Sequence, residues 1–174
     1  MWYAFITIAS IPSIVLNDKN FTTMWAYFLS SIDTLYKSHE KGNIKVKFIF
    51  NKFLTSTCCM FRGCSSLKSI DLSSFNTTNV ENMNCMFAEC SSLQSIDLSS
   101  FKTTNVEDMR WMLYGCSSLQ SINLSSFNTT NVYNYNMRWM FSGCSSLKKE
   151  NVKISESGNN LLDEKYWEIS CKIF

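Results

Sequence analysis

Eight cysteines are the most reactive residues in this 174-residue chain, and half of them keep a beat: Cys64, Cys90, Cys116 and Cys144 recur after 26, 26 and 28 residues. Thiols in such an array offer three chemistries: disulfide formation, metal ligation and nucleophilic attack. Stacked at the roughly 4.8 Å spacing of adjacent strands, neighbouring Cα atoms lie within the range a disulfide needs, so bridging is geometrically allowed. Each thiol nevertheless precedes Ser-Ser-Leu, where a small apolar group fills an inner corner, and unbridged Cys is among the most buried residue types. A reduced ladder in the core is the expectation. Cys59 with Cys64 and Cys85 with Cys90 also make two C-x4-C pairs, a weak match to zinc spacings. Trp111 and Trp139 occupy the Cys59 and Cys85 position in later copies, so that position asks for apolar bulk and no metal site is expected.

His39 is the only histidine and has no counterpart in the repeats, which leaves no Cys-His couple. No Walker loop, GxGxxG, HExxH or GxSxG stretch occurs. The many Ser and Thr residues fall on repeated surfaces, where hydroxyls solvate a strand face and satisfy turns. No catalytic residue and no cofactor is expected. Asp71, Asp97 and Asn123 form one outward column whose oxygens suit a hard cation such as Ca²⁺, although a solvated face is the plainer role. Asn20, Asn76, Asn123 and Asn128 open N-x-S/T sequons, which matter only in a chain exported by a eukaryote.

These residues are positioned by a repeat. Leu67, Ile70 and Leu72 spell L-x-x-I-x-L, as do Leu93, Ile96 and Leu98, then Leu119, Ile122 and Leu124. Period-2 alternation makes this a short strand with the isoleucine and following leucine inward and their neighbours outward. Val80, Met83 and Phe87 then follow at helical spacing. Asn79, Asn105 and Asn131 stand where an N-cap is wanted, with Glu81 or Glu107 suiting a helix N-terminus. Gly63, Gly115 and Gly143 fall where a left-handed C-cap would end the helix, and Glu89 breaks that rule. The third copy carries two extra residues between Val132 and Met137, placing an outer loop or helix start there. A unit of this kind buries its apolar face only against neighbouring copies.

The organisation read from this pattern is an N-terminal cap over 1–43, a repeat region over 44–152 and a C-terminal cap over 153–174. The repeat region comprises a worn first copy, whose strand is IKVKFIF, three near-identical copies, and a truncated last copy halted by Glu150. Within the first cap, Phe21, Met24, Trp25, Phe28, Leu29, Ile32, Leu35 and Tyr36 make one stripe, so an amphipathic capping helix is expected over 18–38. The apolar start MWYAFITIASIPSIVL is shorter than the roughly 20 residues of a spanning helix and contains Pro12. It reads as a buried strand or cap rather than a leader or anchor. A formal charge of +2 with 17% charged residues gives neither a basic stripe for nucleic acid nor an acidic tail. Neither nucleic acid nor membrane insertion is expected.

From Cys58 to Val152 the text MF-x-G-C-S-S-L-K-S-I-D-L-S-S-F-N-T-T-N-V-x-N-M resembles the BspA-like leucine-rich-repeat surface proteins of bacteria and protists. The resemblance implies an α/β repeat, a right-handed solenoid with one short strand and one short helix per repeat of about 26 residues. It further implies adhesion or protein binding at a cell surface or after secretion, without catalytic residues. The outward strand face is the expected ligand-binding surface for a protein or cell-surface partner. It comprises Lys68, Ser69, Asp71 and Ser73, then Gln94, Ser95, Asp97 and Ser99, then Gln120, Ser121, Asn123 and Ser125. Arg110, Trp111, Tyr133, Tyr135, Arg138 and Trp139 form a second candidate patch. The alternative is a cytoplasmic protein-interaction scaffold or a fragment of a larger repeat protein, since no clear export signal or anchor is visible.

Overall fold

The computed structural model describes residues 2–6, 14–16, 46–50, 54–162 and 167. Seven short strands lie within them: β1 (Trp2–Ile6), β2 (Ile14–Leu16), β3 (Val46–Phe50), β4 (Ile70–Asp71), β5 (Ser95–Asp97), β6 (Ser121–Leu124) and β7 (Val152–Ile154). Two sheets result, one ordered β2-β3-β1-β4 and one ordered β5-β6-β7. The second is parallel throughout, with Ile96 opposite Ile122 and Ile122 opposite Val152. In the first, β1 runs antiparallel to both β3 and β4, and β2 runs parallel to β3. The expected strand IKVKFIF therefore exists as β3, but it pairs with the N-terminal strands. β1 and β2 fall in the span read as a cap, whereas the helix expected over 18–38 lies outside the described residues.

The expected right-handed solenoid of strand plus helix is not the fold found. Among the described residues there is no α-helical element; the parallel sheet has only three strands, and the helical pieces are 3-10 turns at Asn134–Met137, Lys149–Asn151 and Glu156–Leu162. The segments with helical spacing fold as consecutive turns. Met60 N–H donates to the Thr57 carbonyl at 3.1 Å and Arg62 N–H to that of Cys59 at 3.1 Å, while the intervening Cys59 and Phe61 donate to Asn84 and Met86 at 2.9 and 2.8 Å. Each second donor is thus spent on the neighbouring copy, where an α-helix would spend it four residues back.

Backbone conformation enforces this. Cys59, Cys85, Trp111 and Trp139 have φ between 53° and 57°, and Gly63, Glu89, Gly115 and Gly143 have φ between 65° and 77°. Two left-handed residues four apart end any right-handed helical run, because non-glycine residues pay about 1–2 kcal/mol for that conformation. The glycines are therefore turn residues, not helix caps. Asn105 and Asn131 do not cap helices either: their side-chain amides donate to the Thr78 and Thr104 carbonyls of the preceding copy at 2.8 and 2.6 Å.

The apolar positions bury as the pattern demands, in columns running from copy to copy. Val80, Met83 and Phe87 are fully buried, as are Leu98, Phe101, Val106 and Leu124. Phe61 stacks on Phe87 at 5.2 Å between ring centroids, and Phe101 contacts Phe75 and Phe127 at 5.8 and 6.5 Å. Full burial of such side chains is worth about 1.5–3 kcal/mol each, far more than any single surface contact here.

Glu150 does not end the column. It sits exposed in the 3-10 turn Lys149–Asn151, and the two residues gained there deliver Val152 opposite Ile122 and Ile154 opposite Leu124. A charge is looped out and the apolar register resumes behind it. The same device absorbs the extra residues of the third copy, in the turn Asn134–Met137.

Candidate functional site

Alternation in β5 and β6 turns Ile96, Ile122 and Leu124 inward and lifts their neighbours outward. Lys68, Ser69, Asp71, Ser73, Gln94, Ser95, Asp97, Ser99, Gln120 and Ser121 are exposed, and Asn123 and Ser125 half-exposed. Ser95 lies opposite Ser121 and Asp97 opposite Asn123, so the second and third copies present one surface. The first copy's residues are carried in part by β4, whose paired strand is β1.

The acidic column has a local job. Asp71, Asp97 and Asn123 each accept the backbone N–H two residues on, from Ser73, Ser99 and Ser125, at 3.0, 2.9 and 3.1 Å. These bonds close the turn that follows each strand. Hydrogen bonds from Ser73, chiefly its backbone N–H, hold the Asp71 carboxyl below its ordinary range; for Asp97 the Ser99 hydroxyl leads, then its N–H. Lys153 is opposite Asn123 on the next strand, placing a cation in the column's line. Among the described residues no group of three His, Cys, Asp or Glu side chains is arranged for a metal ion. Beside the face, at Ser73, a cavity of about 210 Å³ is lined by Ser74, Asn76, Thr78, Ser100 and Lys102 over Phe75.

The thiols divide into two groups. Cys90, Cys116 and Cys144 are buried and donate S–H to the carbonyls of Phe61, Phe87 and Leu113 in the preceding copy, at 3.1, 3.1 and 3.2 Å. Burial pushes the Cys116 thiol up to about 12. Cys58, Cys59 and Cys85 are half-buried on another edge, with the Cys58 and Cys59 sulfurs 3.6 Å apart. Burial likewise raises Cys58 to about 12 and Cys85 to about 11. Cys85 and Cys90 thus occupy different surroundings, one on an edge and one bonded to a core carbonyl, which gives the C-x4-C spacing no shared ligand role. All seven described cysteines are thiols, none half of a disulfide.

The edge that begins with Cys59 and Cys85 continues with Trp111 and Trp139, whose rings stack 5.2 Å apart at 5°. The Arg110 guanidinium lies 5.6 Å from the Trp111 ring and is clamped by Asp108, with its Nε 3.0 and 3.1 Å from the two carboxylate oxygens and its Nη2 2.6 Å from Oδ2. One copy on, Arg138 is exposed, and Tyr133 is 70% exposed. Met109 N–H donates to the Asn136 carbonyl at 2.8 Å, setting the Asn136–Arg138 stretch beside Asp108–Arg110.

A family model described as "Mycoplasma protein of unknown function, DUF285" matches residues 30–155, well over half of the chain. The chain belongs to this DUF285 family. No curated protein and no solved structure matches it. The DUF285 span includes β3 to β7 and both candidate surfaces. No helix among the described residues is long and apolar enough to cross a membrane.

Sequence reasoning named two candidate surfaces on this DUF285 chain but missed the buried hydroxyls that join its copies. Thr77, Thr103 and Thr129 are almost fully buried. Thr77 Oγ1 donates to the Lys102 carbonyl at 3.1 Å and accepts from Lys102 N–H at 2.8 Å. The available signal was the first Thr of Thr-Thr-Asn, present in all three copies. No residue type announced the left-handed turns at Cys59, Cys85, Trp111 and Trp139.

Proposed function

We propose that the chain is a non-enzymatic protein-binding module acting at a cell surface or after secretion, with the outward strand face as a contact surface. The observation that carries this reading is the repetition of exposed polar side chains in register, Gln94 and Ser95 beside Gln120 and Ser121, on a frame whose cohesion is internal. A face of serines, glutamines and turn-bound carboxylates lacks the aromatic anchors that dominate binding energy. It therefore acts through many weak contacts, and firm attachment comes from displaying several chains together.

Photo-cross-linking from a benzoylphenylalanine at Gln94 or Gln120 in living source cells tests this, with protease treatment of intact cells in parallel. Protein adducts from those positions, together with release of repeat peptides from intact cells, are the expected result. An absence of adducts rejects the binding reading. Adducts with peptides protected until lysis move the module inside the cell, as a scaffold.

A further inference from the structure

Arg138 is Arg110 without its acid. In the second copy the order Asp108-Met109-Arg110 lets Asp108 clamp Arg110 beside Trp111. The third copy repeats the order as Asn136-Met137-Arg138 ahead of Trp139, but Asn136 is neutral and its amide is spent on the Glu107 carbonyl at 2.8 Å. Arg138 makes no ion pair among the described residues. A guanidinium is built to receive a carboxylate through two parallel hydrogen bonds, and among the described residues no carboxylate fills that place on Arg138.

The surrounding residues go beyond what the frame requires. The position of Trp111 and Trp139 is satisfied by Cys59 and Cys85 in earlier copies, and it is left-handed, at φ 54° and 57°, where a bulky residue is strained. Both indoles are only partly covered. Tyr133 stands, exposed, at the position that Glu81 and Glu107 hold in the copies before, and its carbonyl accepts the N–H of Asn136, two residues from Arg138, at 2.8 Å. Trp, Tyr and Arg are the types enriched in binding hot spots.

We propose that this edge docks a protein segment bearing an aspartate or glutamate beside an apolar side chain. The partner's carboxylate takes on Arg138 the place that Asp108 takes on Arg110, and its apolar neighbour covers Trp139 and Tyr133. This rests on the protein-binding reading above and names the partner's chemistry.

The test uses the full chain and a fluorescein-labelled random copolymer of glutamate and tyrosine, followed by anisotropy. Arg138→Glu is expected to weaken binding about tenfold, as loss of a charge-paired contact does. Asn136→Asp, which restores an internal acid at the cost of the amide bond to the Glu107 carbonyl, should weaken it severalfold while circular dichroism shows the chain still folded. Lys102→Glu makes the same change of net charge at an exposed residue outside both surfaces and should leave binding within about twofold if the contact is local rather than a net-charge effect. Wild-type chain that ignores the copolymer, or equal losses from Arg138→Glu and Lys102→Glu, would overturn the proposal. So would sedimentation showing that Arg138→Glu dissolves a dimer, which assigns the edge to a second copy. Cross-linking from Gln94 that survives any of these failures leaves the protein-binding reading standing.

Discussion

Thr103 and Asn128 exchange two hydrogen bonds through a single hydroxyl: Asn128 N–H donates to Thr103 Oγ1 at 2.8 Å, and Oγ1 donates to the Asn128 carbonyl at 3.0 Å. The side chain stands in for a missing backbone pair between copies. Thr103→Val keeps the volume but strands a donor and an acceptor in a buried site, which costs about 1–3 kcal/mol for each unsatisfied group. Denaturant titration should show a loss of about 2–4 kcal/mol for valine, and much less for Thr103→Ser. Equal losses would mean that the methyl group, not the hydroxyl, holds the copies together.

Glu89 occupies the left-handed position that Gly63, Gly115 and Gly143 hold elsewhere, at φ +65°. Its reward is an ion pair with Arg62 at 3.0 Å, both side chains about half exposed, and such pairs are worth about 0–1 kcal/mol. Glu89→Gly should therefore raise stability by about 0.5–1 kcal/mol, strain relief exceeding the lost pair. Gly143→Ala should act oppositely, since an added Cβ would lie 3.1 Å from the Gly115 Cα at φ +77°. Its melting temperature should fall, and a rise would refute the left-handed column.

Asp71 and Asp97 give the protein an acid limb. Their carboxyls lie below the ordinary range in the fold, through the serine hydrogen bonds described above, with Lys153 also favouring the ionised form of Asp97. A depressed folded value means that the contribution is complete above the unfolded pKa of about 3.9 and is lost as pH falls through the folded value. Melting temperatures recorded from neutral to strongly acid pH should decline more steeply for wild type than for the Asp71→Asn, Asp97→Asn double variant. Asparagine keeps the turn-closing acceptor, as Asn123 does, but cannot titrate. Identical slopes would place the acid sensitivity elsewhere.

The core thiols should be chemically silent while the chain is folded. Cys116 is pushed up to about 12 by burial, and Cys90, Cys116 and Cys144 each spend their S–H on a carbonyl. Because thiolate is the reactive form, iodoacetamide at pH near 8 should leave these three unmodified until denaturant is added, as read by peptide mass spectrometry. Prompt alkylation of Cys116 in the native chain would show that the core opens.

Inside and outside were legible in the sequence because a strand reports them directly: Ile96 and Ile122 are buried and Asp97 exposed, as alternation requires. The helix was misread for a physical reason. Consecutive turns return side chains to one face every three or four residues, so Val80, Met83 and Phe87 satisfy a helical period without a helix. What separates the alternatives is the sign of φ at Cys59, Cys85, Trp111 and Trp139, and side-chain type carries little of that information. Glu150 misled for a related reason: periodicity assumes equal spacing, and a three-residue turn is enough to bypass a charge. The Arg138 edge was more open to reading, since EDMR and YNMR differ at both acids, and the second of them, Asp108, is the one that clamps Arg110.

The backbone bonds between successive turn segments have a consequence for how the chain is made. Cys59, Phe61 and Gly63 donate forward, to Asn84, Met86 and Ala88, and Cys85 and Phe87 donate forward again, to Arg110 and Met112. On a ribosome, each set of donors emerges some 25 residues before its acceptors (spacing from Cys59 and Asn84). A copy therefore stays provisional until its successor has been synthesised, and order spreads along the nascent chain one copy behind translation.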